Sequence, residues 1–490
     1  MSDDNEVDEA EESSTTTAEP SRISKEGLFC LSELEQKMIC NVQLYYDAGG
    51  RWWGPDASGG FSGMKDSQAA FYVSAYGFSK SAKTSGNHLG QTPAERALMW
   101  LQQRRKVSYA GPLAGYAAGV HNIGTDRILV TEPTRIVEPK KGECKKIREL
   151  IESMLFDPAA KPGLSKHQVA VFYTLLSSVY KTLLERVKTG KAIFRFTPAL
   201  SIVGVKECGK SALVNLVLQP LLGGRKGDPT SYLLEPKFNK DLFVAPLLVM
   251  DDKGSPPSIA IRRERGENLK GLIWEKEQRM RGMFADAIQL CPFRFLVMLC
   301  NFDEAALQIL PTLSEGMSDK IVHLLARRAE WLPSSNEEND KWAADLEAEL
   351  PAFAHFLLNY KAPKRAVLNP RSRVMLFSHP AIVEKLRGFQ PEIKLLDLID
   401  LFNLPGKAVN PKSPSDAPQG FWEGSATEFQ NAMLEADTEG KIYEGMFSSV
   451  AAVGRALAEL VNVVPDRIKV TNHGNKSHYK IFPAKEEGAE

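Results

Sequence analysis

The stretch Gly204-Val205-Lys206-Glu207-Cys208-Gly209-Lys210-Ser211 constrains this chain more than any other. Its two glycines let the backbone turn tightly with N–H groups facing inward, and a Lys-Ser pair follows at once. Such a loop needs a strand ending at it and a helix starting from it, because the helix N-terminus adds partial positive charge to the backbone donors. Both flanks are present: Leu200-Ser201-Ile202-Val203 suits a buried strand, and Ala212-Leu213-Val214-Asn215-Leu216 opens a helix. The expected fold class is therefore α/β, with a parallel sheet around a phosphate-binding loop. Residues Gly204, Val205, Lys206, Glu207, Cys208, Gly209, Lys210 and Ser211 would cradle a nucleoside triphosphate. Lys210 is placed to reach the β- and γ-phosphates, and the Ser211 hydroxyl to hold Mg²⁺.

Two further apolar runs end in polar residues. Pro246-Leu247-Leu248-Val249-Met250-Asp251-Asp252 delivers two carboxylates from a strand end. Beside a phosphate loop these suit a Mg²⁺ ligand (Asp251) and an activator of the attacking water (Asp252), with the two roles interchangeable. Phe293-Arg294-Phe295-Leu296-Val297-Met298-Leu299-Cys300-Asn301 ends in an amide that can orient that water or sense the γ-phosphate.

Apolar spacing divides the rest of the chain. Residues 1–27 are acidic and lack aromatics, which predicts a disordered tail. Residues 28–141 read as an accessory α/β domain. In it, Asp47-Ala48-Gly49-Gly50 turns a hairpin between Leu44-Tyr45-Tyr46 and Arg51-Trp52-Trp53, and Arg127–Val130 forms a strand. The hairpin aromatics either fill a small core or stack on bases. Residues 142–191 read as a helical collar, because Ile147, Leu150, Ile151, Met154 and Leu155, then Val171, Leu175, Leu176, Val179 and Leu183, recur at helical spacing. The ATPase core spans 192–335, a helical segment 336–403 and a linker 404–419. Residues 420–490 read as helix, helix and two strands turning at Asn472-His473-Gly474-Asn475, a winged-helix pattern. A basic wing there suits duplex DNA through Arg467 and Lys476, while docking of a protein is the alternative.

Bulk properties exclude little. The net charge is zero, so composition does not announce a nucleic-acid binder. No run of about 18 apolar residues suggests a membrane span, and the acidic start does not resemble a signal peptide. The six cysteines form no CxxC pair, which points away from a zinc site or disulfide framework and toward a reducing, cytoplasmic setting.

The order of phosphate loop, acidic strand and Asn-terminated strand between 204 and 301 resembles the superfamily 3 helicases, a compact AAA+ class. Within that class it looks most like the helicase portion of phage and poxvirus-type primase-helicases. Glu349-Leu350-Pro351-Ala352-Phe353 looks like the family's helical stretch after the motor, and Phe421-Trp422-Glu423-Gly424-Ser425-Ala426-Thr427-Glu428 like the first helix of its C-terminal domain. The resemblance implies an ATP- and Mg²⁺-dependent motor. It also implies a hexameric ring with ATP between subunits, translocation on single-stranded DNA at a fork, and a separate primase or polymerase as partner. A pore hairpin is expected between the acidic and amide strands, among Arg262, Arg263, Arg265, Lys270, Lys276, Arg279 and Arg281, with Lys270 and Lys276 favoured as DNA contacts. Arg327 or Arg328 is expected to act as an arginine finger on the neighbouring subunit's ATP. No clustered acids suited to a polymerising primase precede the motor. The competing readings are an AAA+ initiator or loader scaffold without processive unwinding, and a small-molecule kinase.

Overall fold

Five parallel strands carry the phosphate loop. The structure, a computed structural model, describes residues 31–81, 91–158, 161, 163–251, 259–282, 286–311, 315–329, 335–404, 421–437, 443, 446–447, 449–473 and 476–483. The acidic tail, the 404–419 linker after its first residue, Asp252 and the tip of the C-terminal turn lie outside the described residues.

Across the sheet the order is Ile321–Ala326, Ala199–Gly204, Phe295–Asn301, Leu247–Asp251 and Lys226–Gly227, every neighbouring pair parallel. Three of these strands are the apolar runs read from the sequence. Their side chains alternate between two cores, as a period of two dictates. Leu200, Ile202, Val249, Val297 and Leu299 pack with Leu213, Val214 and Val217 of the helix after the loop. Val203, Leu248, Met250, Leu296 and Met298 pack with Leu269, Leu272, Ile382 and Leu386 on the other face.

The collar helices Lys145–Met154 and Leu164–Thr189 bury the positions expected from their spacing. They share one core with the sheet rather than forming a bundle of their own. Glu349, on the helix Asn336–Asn359, accepts from the Lys146 and Ile147 backbone N–H groups at 3.1 and 3.0 Å, capping the first collar helix from outside. Ser177 adds a bond to the Leu357 carbonyl at 2.7 Å. The Glu349-Leu350-Pro351 stretch is thus a clasp between the helix Lys145–Met154 and the helix Asn336–Asn359.

The outer strand, Ile321–Ala326, is covered along its far side. Leu325 N–H donates to Gln168 Oε1 at 2.8 Å, while Gln168 Nε2 donates to the Leu155 carbonyl at 3.2 Å. His323 N–H donates to the Phe377 carbonyl, and His379 N–H to that of His323. Gln168 is wholly buried, so its loss would orphan two backbone groups, at about 1–3 kcal/mol each.

Contacts divide the chain into two units: residues 1–111 with 118–132, and 112–117 with 133–490. The first contains a four-stranded sheet ordered Phe61–Met64, Trp52–Pro55, Tyr45–Asp47, Lys106–Val107. Its hairpin pairs Tyr45 with Trp53 and Tyr46 with Trp52, as the Asp47–Gly50 turn predicts. Trp52 is buried and donates to Asp66 Oδ1, and Trp53 donates to Asp47 Oδ2. These indoles are engaged in their own unit's core and turn. The expected strand near Arg127 runs Asp126–Val130.

The C-terminal part of the second unit is built as helix Pro391–Leu401, strand Trp422–Ser425, helices Ala426–Ala436 and Val450–Val463, then strands Ile468–His473 and Lys476–Ile481. The last strand lies in the middle of the three. Phe421–Glu428 is therefore a strand turning into a helix rather than a helix throughout. Ser425 and Glu428 form the capping box that starts the helix. Leu395, Leu398 and Ile399 belong to this core, which extends it back to residue 391.

His323 is buried in the outer strand, its Nδ1 has no partner, and burial pushes its imidazole down to about 4. The unfolded chain, with an ordinary histidine value near 6.5, binds a proton where the folded chain does not. Stability contributed by this group is therefore complete above about pH 6.5 and is lost as pH falls toward 4. Thermal unfolding should show a falling Tm over that window, and His323→Leu should flatten much of the fall. Some slope remains from His379, which burial also pushes down against the opposing pull of Asp157. An unchanged slope in His323→Leu would contradict the assignment.

Candidate functional site

Gly204 ends the loop strand where the strand Ile321–Ala326 crowds it. A Cβ there would stand 2.4 Å from the Ala326 carbonyl oxygen, so only glycine fits. The loop then turns through Glu207 at φ 59° and Gly209 at φ 93°. The glycine adopts the left-handed region freely, whereas Glu207 holds it at a cost of about 1–2 kcal/mol. Helix starts at Lys210 and continues to 221, passing through a π-helical stretch at Leu213–Leu218. Pro220 follows that stretch. It has no N–H to give and its ring crowds the carbonyl four residues earlier, and a wider turn relieves both.

Lys210 Nζ donates to the carbonyls of Gly204 and Val205 at 2.9 and 2.8 Å, and lies 3.3 Å from Asn301 Oδ1. The buried Cys208 places its Sγ 3.7 Å from the same ammonium. The sheet register explains the Asn301 approach, because Asn301 pairs with Gly204 on the adjacent strand. Asp251 ends the next strand, paired with Leu299. By the alternation of the strands, Asp251 follows Val249 and Asn301 follows Leu299 on the face covered by the loop helix. Loop, amide and one carboxylate thus share the same face at the carboxyl end of the sheet. Ser211 is exposed in the first helical turn.

Mg²⁺ in such a site is held by one or two protein groups together with substrate phosphates and water. Among the described residues no cluster of three or more metal-ligating side chains exists. The hydroxyl and carboxylate of Ser211 and Asp251 fit that sparse requirement.

The two arginines after the outer strand go separate ways. Arg327 pairs with Asp157 at 3.2 Å, and Asp157, only 4% exposed, also faces His379 Nε2 at 3.5 Å. Arg328 is 64% exposed and lies 3.6 Å from Glu207 of its own chain's loop. An exposed pair of this kind holds Arg328 weakly.

A two-stranded antiparallel ribbon, Gln278–Met280 with Ile288–Leu290, lies where the hairpin was expected. Lys270 sits earlier, on helix Ile259–Trp274, paired with Glu267 at 3.0 Å. Lys276 is exposed at the ribbon's root, whereas Arg279 and Arg281 are exposed on or just past its first strand. Buried Asn239 fixes that strand, donating to the Arg279 carbonyl at 3.0 Å and accepting from Arg281 N–H at 2.7 Å. No local pattern marks Asn239 in the sequence. In the C-terminal part, Arg467 makes a fork to both carboxylate oxygens of Asp400 and is 17% exposed. The Lys476 side chain lies outside the described residues.

No family model matches the sequence, and no curated protein matches it. Among solved structures, the chain is similar to the apo C-terminal region of NrS-1, at 12% identity and a TM-score of 0.49, over 92% of this chain and 98% of that one. It is similar to the SCCmec type IV Cch active helicase at 12% identity and a TM-score of 0.38, over 90% and 92% of the two chains. To the JCV helicase it is similar at 16% identity and a TM-score of 0.24, over 52% of this chain and 66% of that one.

The tight fit at Gly204 makes a direct test of the loop. Gly204→Ala should lower stability by about 1–3 kcal/mol through overpacking. It should also weaken binding of a fluorescent ATP analogue at least about tenfold by displacing the loop. Unchanged affinity would show that this contact does not set the loop's geometry.

Proposed function

We propose that the chain is an ATP-hydrolysing DNA helicase motor of the superfamily 3 type, working as a ring of its own copies on single-stranded DNA. The observation that carries this reading is the amide strand Phe295–Asn301. One end brings Asn301 to within 3.3 Å of Lys210, and the other end follows the ribbon strand Ile288–Leu290 after the four residues Cys291–Arg294. The loop lysine Lys210 and the exposed Arg279 and Arg281 are thus connected through a single buried strand. A small-molecule kinase has no use for that connection.

In this reading Lys210 and the loop N–H groups hold the β- and γ-phosphates, and Asn301 orients the attacking water. Asp251 and Ser211 would hold Mg²⁺, which neutralises the phosphate charge, and Asp252 would activate the water. Arg279 and Arg281 grip backbone phosphates without reading sequence, joined by Lys276 at the ribbon's root, while Lys270 serves less directly. Arg328 is the freer candidate for a finger in a neighbouring subunit, because Arg327 is committed to Asp157. The C-terminal helix-strand arrangement is read as a winged helix. With Arg467 committed to Asp400, its contact with duplex DNA would rest on the wing around Lys476.

Hydrolysis should be stimulated by single-stranded DNA and should drive strand displacement on a forked duplex. Lys210→Ala should abolish both while leaving the fold intact. Arg279→Ala with Arg281→Ala should retain basal hydrolysis but lose most of the DNA stimulation. Stimulated hydrolysis without displacement would favour an initiator or loader scaffold, and the absence of any DNA effect would refute the helicase reading.

The shared site has its own test. Arg328→Ala should reduce hydrolysis by about 10³–10⁵ if the arginine acts as a finger. Mixing Arg328→Ala with Lys210→Ala chains should restore part of the activity, because some interfaces then pair an intact loop with an intact arginine. The same mixture with Arg327→Ala serves as the comparison. No recovery in either mixture would argue against chemistry between subunits.

A further inference from the structure

At the end of the amide strand away from the phosphate loop, a small cavity is lined by Thr182, Arg186, Arg195, Thr197, Glu275 and Arg294, among others. Arg294 is the unusual member. Its stem reaches the surface, but all three guanidinium nitrogens are sealed from solvent and have no hydrogen-bond partner. The guanidinium carbon sits 4.9 Å over the Phe243 ring, which occupies one face of the plane and leaves the in-plane N–H groups unopposed. Burial pushes its pKa down to about 10, so it remains a cation at neutral pH.

Arg186 stands beside it, buried between the rings of Tyr116 and Phe293. Its two terminal nitrogens donate to the carbonyls of Cys291 and Pro292 at 2.7 and 3.1 Å, and its Nε has no partner. Arg195 is paired with Glu185 at 2.6 Å. The buried donors still unmatched are therefore the N–H groups of Arg294 and the Nε–H of Arg186. Leaving a buried guanidinium unpaired costs several kcal/mol, and a group that only accepts and carries negative charge removes that cost. Glu275 is the one carboxylate among the cavity's lining residues, and it is exposed.

We propose that this cavity is a phosphate site, taking a phosphate oxyanion between Arg294 and Arg186. The oxyanion is either free or part of a nucleic-acid backbone. Residues Cys291–Arg294 join the ribbon strand Ile288–Leu290 to the amide strand, so the bound anion fixes the ribbon's root. The site is separate from the phosphate loop and does not depend on the helicase reading. Only its nucleic-acid form does.

The test uses the full chain carrying Lys210→Ala, which removes the loop's own cation. Thermal unfolding is followed with inorganic phosphate, with chloride at matched ionic strength, and with a single-stranded oligothymidine. Phosphate or the oligonucleotide should raise Tm where chloride does not. Adding Arg294→Met should weaken that response about tenfold or more. Arg294→Met should be no less stable than its parent without phosphate, because it removes an unpaired buried charge. Arg294→Lys keeps the charge but not the fork, and should lose most of the response too. A response to phosphate alone assigns a free anion, and a response to the oligonucleotide assigns a strand phosphate. The proposal is overturned if neither ligand acts beyond chloride, or if the response survives both substitutions. It also fails if Arg294→Met and Glu275→Gln destabilise the phosphate-free chain equally, which would make Glu275 the internal partner.

Discussion

The register that sets Gly204 opposite both Asn301 and Ala326 is the constraint on which the site depends. It is held from two sides. Leu200 and Ile202 belong to one core, and Val203 to the other, so a slip of one residue would send each to the wrong face. The absent side chain at Gly204 then lets Ala326 approach to a distance no Cβ would allow. With the strand fixed this way, the loop has one exit direction. Lys210 returns over the strand end to meet Asn301 because the neighbouring strand stops level with Gly204. The geometry is a consequence of packing several residues away from the loop.

Much of this was legible because buried parallel strands are apolar on both faces. Leu200–Val203, Leu247–Met250 and Phe295–Leu299 stand out as short runs, and the polar residues ending the last two, Asp251 and Asn301, report where the sheet meets solvent. Ile321-Val322-His323-Leu324-Leu325-Ala326 is a run of the same kind, interrupted only by His323. Lys226–Gly227 carries no apolar signal, because two residues at the sheet edge need none. Trp422–Ser425 is strand where the resemblance implies helix, and Ser425 and Glu428 mark a helix start that excludes the residues before it.

Side-chain commitments were harder to read, because they depend on distant partners. Arg327 meets Asp157, and Arg467 meets Asp400, from 170 and 67 positions away in the chain. Charge alone could not tell these arginines from Arg279 and Arg281, which stay exposed. Nor does local spacing show that Asn239 would tie down the ribbon. What the sequence offered was a set of cations. The fold divides it into those held by acids, those packed over rings and those left facing outward.

That division bears on how movement could pass between the ribbon and the phosphate loop. The amide strand pairs through Val297–Asn301 with Leu200–Gly204 on one side and through Phe295–Leu299 with Leu247–Asp251 on the other. At about 3.3 Å per residue, its seven residues make a stiff element roughly 20 Å long. Bending it would break ladder bonds on both sides and expose two cores. Displacement of the ribbon must therefore either carry the strand as a whole or be absorbed at Cys291–Arg294, where the sheet ladder has not begun. Arg186 grips two carbonyls of that short segment, and its own place between Tyr116 and Phe293 is buried. Those two bonds tie the ribbon's root to the buried helix Leu164–Thr189, just before the strand that ends at Asn301 beside Lys210.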